Sequence, residues 1–368
     1  MKPALQESFF SLMNRDDIML DFECRRNVFD EPEFFELRWY VDYRPIGYRS
    51  LITFLEQRKA PKHRRHIQKL LEQYGCDDLE NFISVTYALS LNDTFWVRSG
   101  SAATKWSDIS LYSNEFNELI SKAAFDGTFS ETCISSRSPE FGTDGYFAKC
   151  WTRDAAGICL CKSGSAQYEI EPLSEFLASQ VAAVVCPDSV IYDLDYHRNK
   201  LVSLCRLFTD EATGLAKASS IFQSKQTMPE LLVFFEALGS EDMFRRMCVL
   251  DALIFNPDRR YGNFGILFDT GNMRTLRMAP IFDYNRSLFP DLDNEQLANP
   301  DMYLDKCRPG LGKSFVLTAR NLLTDEIRND LGKLTDFSFA SHPTIAFEQE
   351  RLDALSTITR SQAALILS

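Results

Sequence analysis

The chain has 368 residues, 45% hydrophobic and 25% charged, with 29 Phe and 13 Tyr; this supports a sizeable buried core and excludes global disorder. Forty Lys and Arg against 52 Asp and Glu give a net charge of −12, so direct nucleic-acid binding is not expected outside a local basic patch. No apolar stretch approaches the roughly 20 residues of a membrane span. The opening MKPALQESFF breaks its apolar run at Gln6 and Glu7, which is not the pattern of a signal peptide. The chain is therefore expected in the cytoplasm, with export as an effector lacking an N-terminal signal as the alternative. Ten Cys between Cys24 and Cys307 contain no CxxC, and His63, His66, His197 and His342 form no ligand cluster. The thiols read as small buried hydrophobes rather than a disulfide frame or zinc site.

Residues 1–125 read as a mixed accessory region. FFELRWY (34–40) predicts a strand. Ser50 predicts a capped helix to about Lys59, Lys62 to Tyr74 a second closed by Gly75, and Asp78 to Ser90 a third. DTFWVR (93–98) reads as extended. The basic run RKAPKHRRHIQK (58–69) would suit an acidic partner or nucleic acid, or is a solvated helix face; with no aromatic residues interleaved, the solvated face is preferred.

From residue 126 the texture changes. A Ser- and Gly-rich loop leads into FGTDGYFAKCW (141–151), which begins an extended segment, and then into a strand GICLCKSG (157–164). EPLSEFLASQVAAVV (171–185) predicts a helix with Pro172 in its first turn. SVIYDLDY (189–196) and KLVSLCRLF (200–208) predict a hairpin. Strand, strand, helix, strand, strand over 126–208 is the order of a small kinase-type N-lobe. Residues 209–368 read as a helical C-lobe, with helices at Pro229–Leu238 and Glu241 to about Asn256, an inserted hairpin of FGILFD (264–269) and MRTLRMAP (273–280), and a mostly helical 315–368.

The chemistry concentrates in two segments. In NPDRRYGNFGILFD (256–269), Asp258 and Asn263 stand five residues apart on a loop entering a strand. Kinase catalytic loops use an Asp to accept the hydroxyl proton and an Asn five residues on to help hold magnesium. In MAPIFDYNRSLF (278–289), Asp283 occupies the place expected of a phosphate-bridging metal carboxylate. Either Asp alone is equally a turn or cap residue; the two together, 25 residues apart across a hairpin, are much harder to obtain by chance. Lys162 ends an apolar strand, where a kinase needs a cation for ATP phosphates and a snorkelling lysine is the alternative. Glu175 on the next helix is its expected partner, with Glu171 one turn earlier as the rival. Gly142 and Gly145 would let backbone amides approach phosphate, although the segment is not GxGxxG. Lys149 would add charge there or face solvent.

DALIFNPDRRYGNFGIL (251–267) followed by APIFDYNRSL (279–288), with KCW, GICLCKSG and EPLSEFLAS upstream, resembles the HipA-like serine/threonine kinases, whose fold is related to that of phosphoinositide kinases. The resemblance covers roughly residues 130–330. It implies an α+β, bilobal protein-kinase-like fold with a mixed N-terminal extension: residues 1–125 accessory, 126–208 N-lobe, 209–368 C-lobe. It implies an ATP- and Mg2+-dependent Ser/Thr protein kinase, with Asp258 the catalytic base, Asn263 and Asp283 the metal ligands, and Lys162 the ATP-phosphate lysine. Leu204, Cys205 and Leu207 lie in the segment resembling the adenine-binding hinge. Ser135, Ser136, Ser138 and Thr143 are candidates for autophosphorylation. The implied partners are a protein substrate with a Ser or Thr acceptor and a small antitoxin-like protein, in a toxin–antitoxin or an effector setting. Family members usually carry His two residues after the catalytic Asp, and often Gly soon after the metal Asp; here Arg260 and Tyr284-Asn285-Arg286 stand there. These departures motivate the alternative of a nucleotide-binding pseudokinase acting as an interaction module. A small-molecule or inositol-lipid kinase is the third reading.

Overall fold

The computed structural model describes residues 7–61, 66–76, 78–100, 102–129, 137–165 and 170–368. They form two compact units. The first comprises Met1–Leu160, Leu207–Ala216 and Leu267–Thr275, and the second Cys161–Arg206, Lys217–Ile266 and Leu276–Ser368.

The first unit opens on β1 (Glu7–Asn14), β2 (Asp17–Arg26) and β3 (Pro32–Trp39), followed by α1 (Leu51–Glu56), α2 (Ile67–Gln73), α3 (Leu79–Thr86) and β4 (Phe95–Ser99). The four strands form one antiparallel sheet in the order β3-β2-β1-β4. Strands β1 and β2 escaped the sequence reading for a physical reason. Leu12 and Met13, like Met19 and Leu20, are consecutive and all fully buried. Neighbours on a strand face opposite ways, so both faces are covered and the alternation that marks a half-buried strand is lost. Ser50 caps α1 by accepting the Thr53 N–H at 3.3 Å, but the helix stops at Glu56, short of Lys59. Helix α2 begins only at Ile67, and residues 62–65 of the basic run lie outside the described residues. Asp78 caps α3, which ends at Thr86 rather than Ser90 because Tyr87 turns left-handed at φ 56°.

Helices α4 (Trp106–Ile109) and α5 (Glu118–Asp126) and strand β5 (Lys149–Asp154) follow. The extended segment expected from 141 starts at 149, since 139–142 is a 3-10 turn. Met13, Leu89, Leu91, Trp96, Trp106 and Ile158 belong to one core cluster of this unit. Strand β6 (Gly157–Ser163) carries the chain from the first unit into the second.

The second unit continues with α6 (Glu171–Val185), which has the predicted bounds and Pro172 in its first turn. The hairpin β7 (Tyr192–His197) and β8 (Lys200–Arg206) pairs from Tyr192 with Cys205 to His197 with Lys200. The chain does not turn helical directly after Phe208: β9 (Thr213–Lys217), nearly all of it in the first unit, intervenes. It is short and built on Gly214, where an added Cβ would lie 2.5 Å from the Phe268 ring, so close packing requires a residue of poor strand propensity. Then come α7 (Ala218–Ile221), α8 (Met228–Ala237), α9 (Glu241–Leu253), β10 (Gly265–Asp269), β11 (Thr275–Met278), α10 (Asn294–Ala298), α11 (Asp301–Leu304), α12 (Phe315–Leu322), α13 (Asp325–Gly332) and α14 (Gln349–Leu367). Helix α9 packs against α6, α8, α12 and α14, burying Phe244, Met247 and Leu250, with Phe235 stacked on Phe244 at 4.8 Å. Its C-terminal end launches the loop that carries Asp258. The class is α+β, and no helix among the described residues is long and apolar enough to cross a membrane.

Candidate functional site

The end of β6 and the inner face of α6 build the first half of the site. Lys162, 6% exposed, is the penultimate residue of β6, and its ammonium pairs with Glu175, 1% exposed. The same ammonium lies 3.2 Å from Asp283 Oδ1 and 4.9 Å from the centre of the Tyr192 ring. The Ser203 hydroxyl on β8 donates to the other Glu175 oxygen. Glu171 is engaged elsewhere, accepting the Ser165 N–H at 2.9 Å. Burial disfavours the charged ammonium, but the carboxylates of Glu175 and Asp283 outweigh it and hold the Lys162 pKa above the ordinary lysine value. Lys162 is thus a fixed cation rather than a snorkelling one.

Asp283 adopts the left-handed region at φ 66°, costly for a residue with a Cβ and sustained only where the surroundings enforce it. Its N–H donates to the Tyr192 hydroxyl at 2.9 Å. Just before it, Ile281 accepts the Val190 N–H at 2.8 Å in a parallel bridge with Ser189. Both contacts fix the chain as it enters the turn.

The second half is the loop after α9. Asn256 donates to Asp251 at 2.9 Å and accepts the Asp258 N–H at 3.0 Å. The Asn263 amide nitrogen donates to the Asp258 carbonyl at 2.8 Å, closing the five-residue span and leaving the Asn263 side-chain oxygen for another partner. Arg260 lies across the Asp258 carboxylate, at 2.8 Å from one oxygen and 3.1 Å from the other. Burial pushes the Asp258 carboxyl above the ordinary aspartate value; Arg260 counters it, and the negative charge of Asp283 adds to it.

Sequence reasoning missed Arg259. Its side chain is completely buried; it pairs with Asp251 through two bonds of 2.9 Å and donates to the carbonyls of Asn263 and Phe282, each at 2.6 Å. One guanidinium therefore ties the Asp258–Asn263 loop to the residue preceding Asp283. The sequence signal was only a second Arg beside the first, with Asp251 eight residues back, and no local rule reads that spacing. Tyr192 and Ser203 were missed likewise, since strand position alone does not say which hydroxyl meets a charge.

Lys162, Glu175 and Asp283 thus meet directly, Asp258 and Asn263 meet in their loop, and Arg259 joins the two groups. The other candidates are placed differently. Gly142 belongs to the first unit, where a Cβ would meet the Leu89 carbonyl at 2.9 Å and the Arg58 carbonyl at 3.1 Å, so close backbone packing requires it. Gly145 has φ +107°, and a Cβ there would strike the Lys149 ammonium; Lys149 is itself buried rather than solvent-facing. Ser138 is buried and donates to Glu140, Thr143 donates to the Pro139 carbonyl at 2.6 Å, and Ser135 and Ser136 lie outside the described residues. Leu204 and Cys205 pair across the hairpin with Asp193 and Tyr192. The Leu207 N–H is taken by the Ile158 carbonyl at 3.0 Å.

Among the described residues no cluster of three or more His, Cys, Asp or Glu could hold a metal ion. The oxygens of Asn263 and Asp283 are nonetheless a hard donor set that fits magnesium, which takes its remaining ligands from phosphates and water.

No family model matches the chain, and neither does any curated protein. Solved structures do. The Shewanella oneidensis MR-1 toxin–antitoxin system HipA, determined with HipB and operator DNA, matches at 10% identity over 96% of this chain and 96% of that chain, with a TM-score of 0.55. The Helicobacter pylori proinflammatory kinase CtkA matches at 16% identity over 60% of this chain and 92% of that one, with a TM-score of 0.45. The likeness to HipA is one of fold: the chain has a HipA-like, kinase-like α+β fold. At 96% coverage it extends into residues 1–125, for which the sequence offered no resemblance.

Proposed function

We propose that the chain is an ATP- and magnesium-dependent protein kinase that phosphorylates Ser or Thr. The observation that carries this reading is the buried Lys162 ammonium held jointly by Glu175 and Asp283. A cation immobilised there, with a metal-competent carboxylate on the same ammonium, is poised for the phosphates of a nucleotide. In the transfer, the acceptor hydroxyl oxygen bonds to the γ-phosphorus as the bond to the β,γ-bridging oxygen breaks, and Asp258 takes the hydroxyl proton. Asn263 and Asp283 would hold magnesium, which when bound neutralises charge developing on the phosphates. Arg259 keeps the two ligand-bearing segments in register. Incubation with ATP, magnesium and a protein acceptor, with phosphosites read by mass spectrometry, tests the reading: phosphoserine or phosphothreonine supports it, and label found only in lipid or other small molecules overturns it.

A second reading, a nucleotide-binding pseudokinase, is favoured by one observation, the Arg260 guanidinium lying across the candidate base. ATP that raises the melting temperature without any phosphoryl transfer would select it. The HipA structure was determined with HipB and DNA, and a small antitoxin-like partner in the cytoplasm is proposed here on that likeness. Autophosphorylation in 135–143 is proposed for Ser135, Ser136 or Thr143, because the Ser138 hydroxyl is buried against Glu140.

A further inference from the structure

Arg259 and Arg260 are consecutive, yet their surroundings differ completely. The Arg259 side chain is 0% exposed and fixed by Asp251 and two carbonyls, whereas that of Arg260 is 70% exposed and pairs with Asp258, itself 29% exposed. An ion pair whose guanidinium stands mostly in water is worth little, about 1 kcal/mol. Another carboxylate arriving from solvent can therefore replace Asp258 on Arg260 with little net change in energy.

The surface beside the loop is also cationic. Gly310 sits on the Arg259 backbone so closely that a Cβ would lie 2.6 Å from its carbonyl oxygen. Asp251, Pro309, Gly310 and Leu311 share the lining of a small cavity. This contact sets the middle of segment 305–313 against the catalytic loop. Within it Lys306, Arg308 and Lys313 are exposed, and Asp305 is the one carboxylate. Arg308 donates to the Asp305 and Cys307 carbonyls, and among the described residues no carboxylate pairs with any of the three cations. On a chain of net charge −12, exposed cations on a segment that touches the catalytic loop through Gly310 are a local reversal of sign that attracts acidic ligands.

We propose that Arg260 is an exchangeable clasp on Asp258, drawn off by an acidic side chain flanking the phosphoacceptor, so that the site selects Ser or Thr in acidic peptides. This rests on the kinase reading above. The acidic flank would be held by Arg260 and the Lys306–Lys313 segment, and its binding would free Asp258 to accept the hydroxyl proton.

The test uses the full chain and three serine peptides identical except for flanks of Asp and Glu, of Ala, or of Lys and Arg. Transfer is measured with γ-labelled ATP, and binding by fluorescence anisotropy with fluoresceinated versions of the same peptides. The wild type is expected to favour the acidic peptide in kcat/KM by about tenfold or more over the alanine peptide, in line with a surface charge contact of modest strength. Arg260→Ala should flatten that preference, and Arg260→Glu should turn it toward the basic peptide, an inversion that loss of fold cannot produce. Equal kcat/KM for all three peptides, or a preference that survives Arg260→Ala, overturns the proposal. If the wild type phosphorylates no peptide, the kinase reading fails separately and the binding arm still decides: tight binding of the acidic peptide that is lost in Arg260→Ala supports the contact, and its absence or persistence overturns it.

Discussion

Around Arg259 and Lys162 the charges are dry and multiply bonded, whereas at Asp258 and Arg260, adjacent in sequence, they stand partly in water. The Arg259 guanidinium has four bonded contacts and the Lys162 ammonium has two carboxylates and an aromatic face. Charges removed from water survive only when every donor is answered, so this region has one arrangement. The outer pair carries no such requirement and can open at small cost. In the proposed transfer the first region would frame nucleotide and metal, and the second would open where the acceptor enters.

The contrast can be tested by substitutions of decreasing effect. Asp258→Ala should lower turnover by about 10² to 10⁴, the usual cost of losing a general base, while far-ultraviolet circular dichroism stays as in the wild type. Arg259→Ala leaves Asp251 buried without its cation and should cost about 3–5 kcal/mol in urea denaturation; a loss like that of a surface residue would break the distinction between the two regions. Gly310→Ala drives a methyl into the Arg259 backbone and should cost about 1–3 kcal/mol by the same measurement. Arg260→Ala should cost less than about 1 kcal/mol, with a specific signature in pH. Because Arg260 lowers the Asp258 pKa against the upward push of burial, its removal raises that pKa. The proposed transfer uses the carboxylate form as base, so the acid limb of the rate profile should move to higher pH, with the carboxyl carbon resonance of Asp258 titrating in parallel. A limb that moves to lower pH contradicts the pairing.

Much of this frame was legible in the sequence because its signals are local. Helix α6 was legible to its bounds, with Pro172 in its first turn, and the spacing of Asp258, Asn263 and Asp283 singled out the two loops that the structure joins. What stayed hidden depends on tertiary partners. Glu175 and Glu171 share a helix face, and only the position of Lys162 and Ser203 separates them. Strands β1 and β2 are covered on both faces and so lose their period. Arg259 and Arg260 look alike as letters; burial against Asp251, set by the end of α9, fixes one inside and leaves the other at the surface beside Asp258.

If Lys162, Glu175, Asp283, Asp258 and Asn263 together transfer phosphate, incubation of the full chain with γ-labelled ATP, magnesium and an acidic acceptor such as dephosphorylated casein, beside Asp258→Ala and Asp283→Ala, should show it. Label is expected on Ser or Thr with the wild type and at near-background level with both variants. Undiminished labelling by either variant, or a wild type that is stabilised by ATP yet transfers nothing, would contradict it.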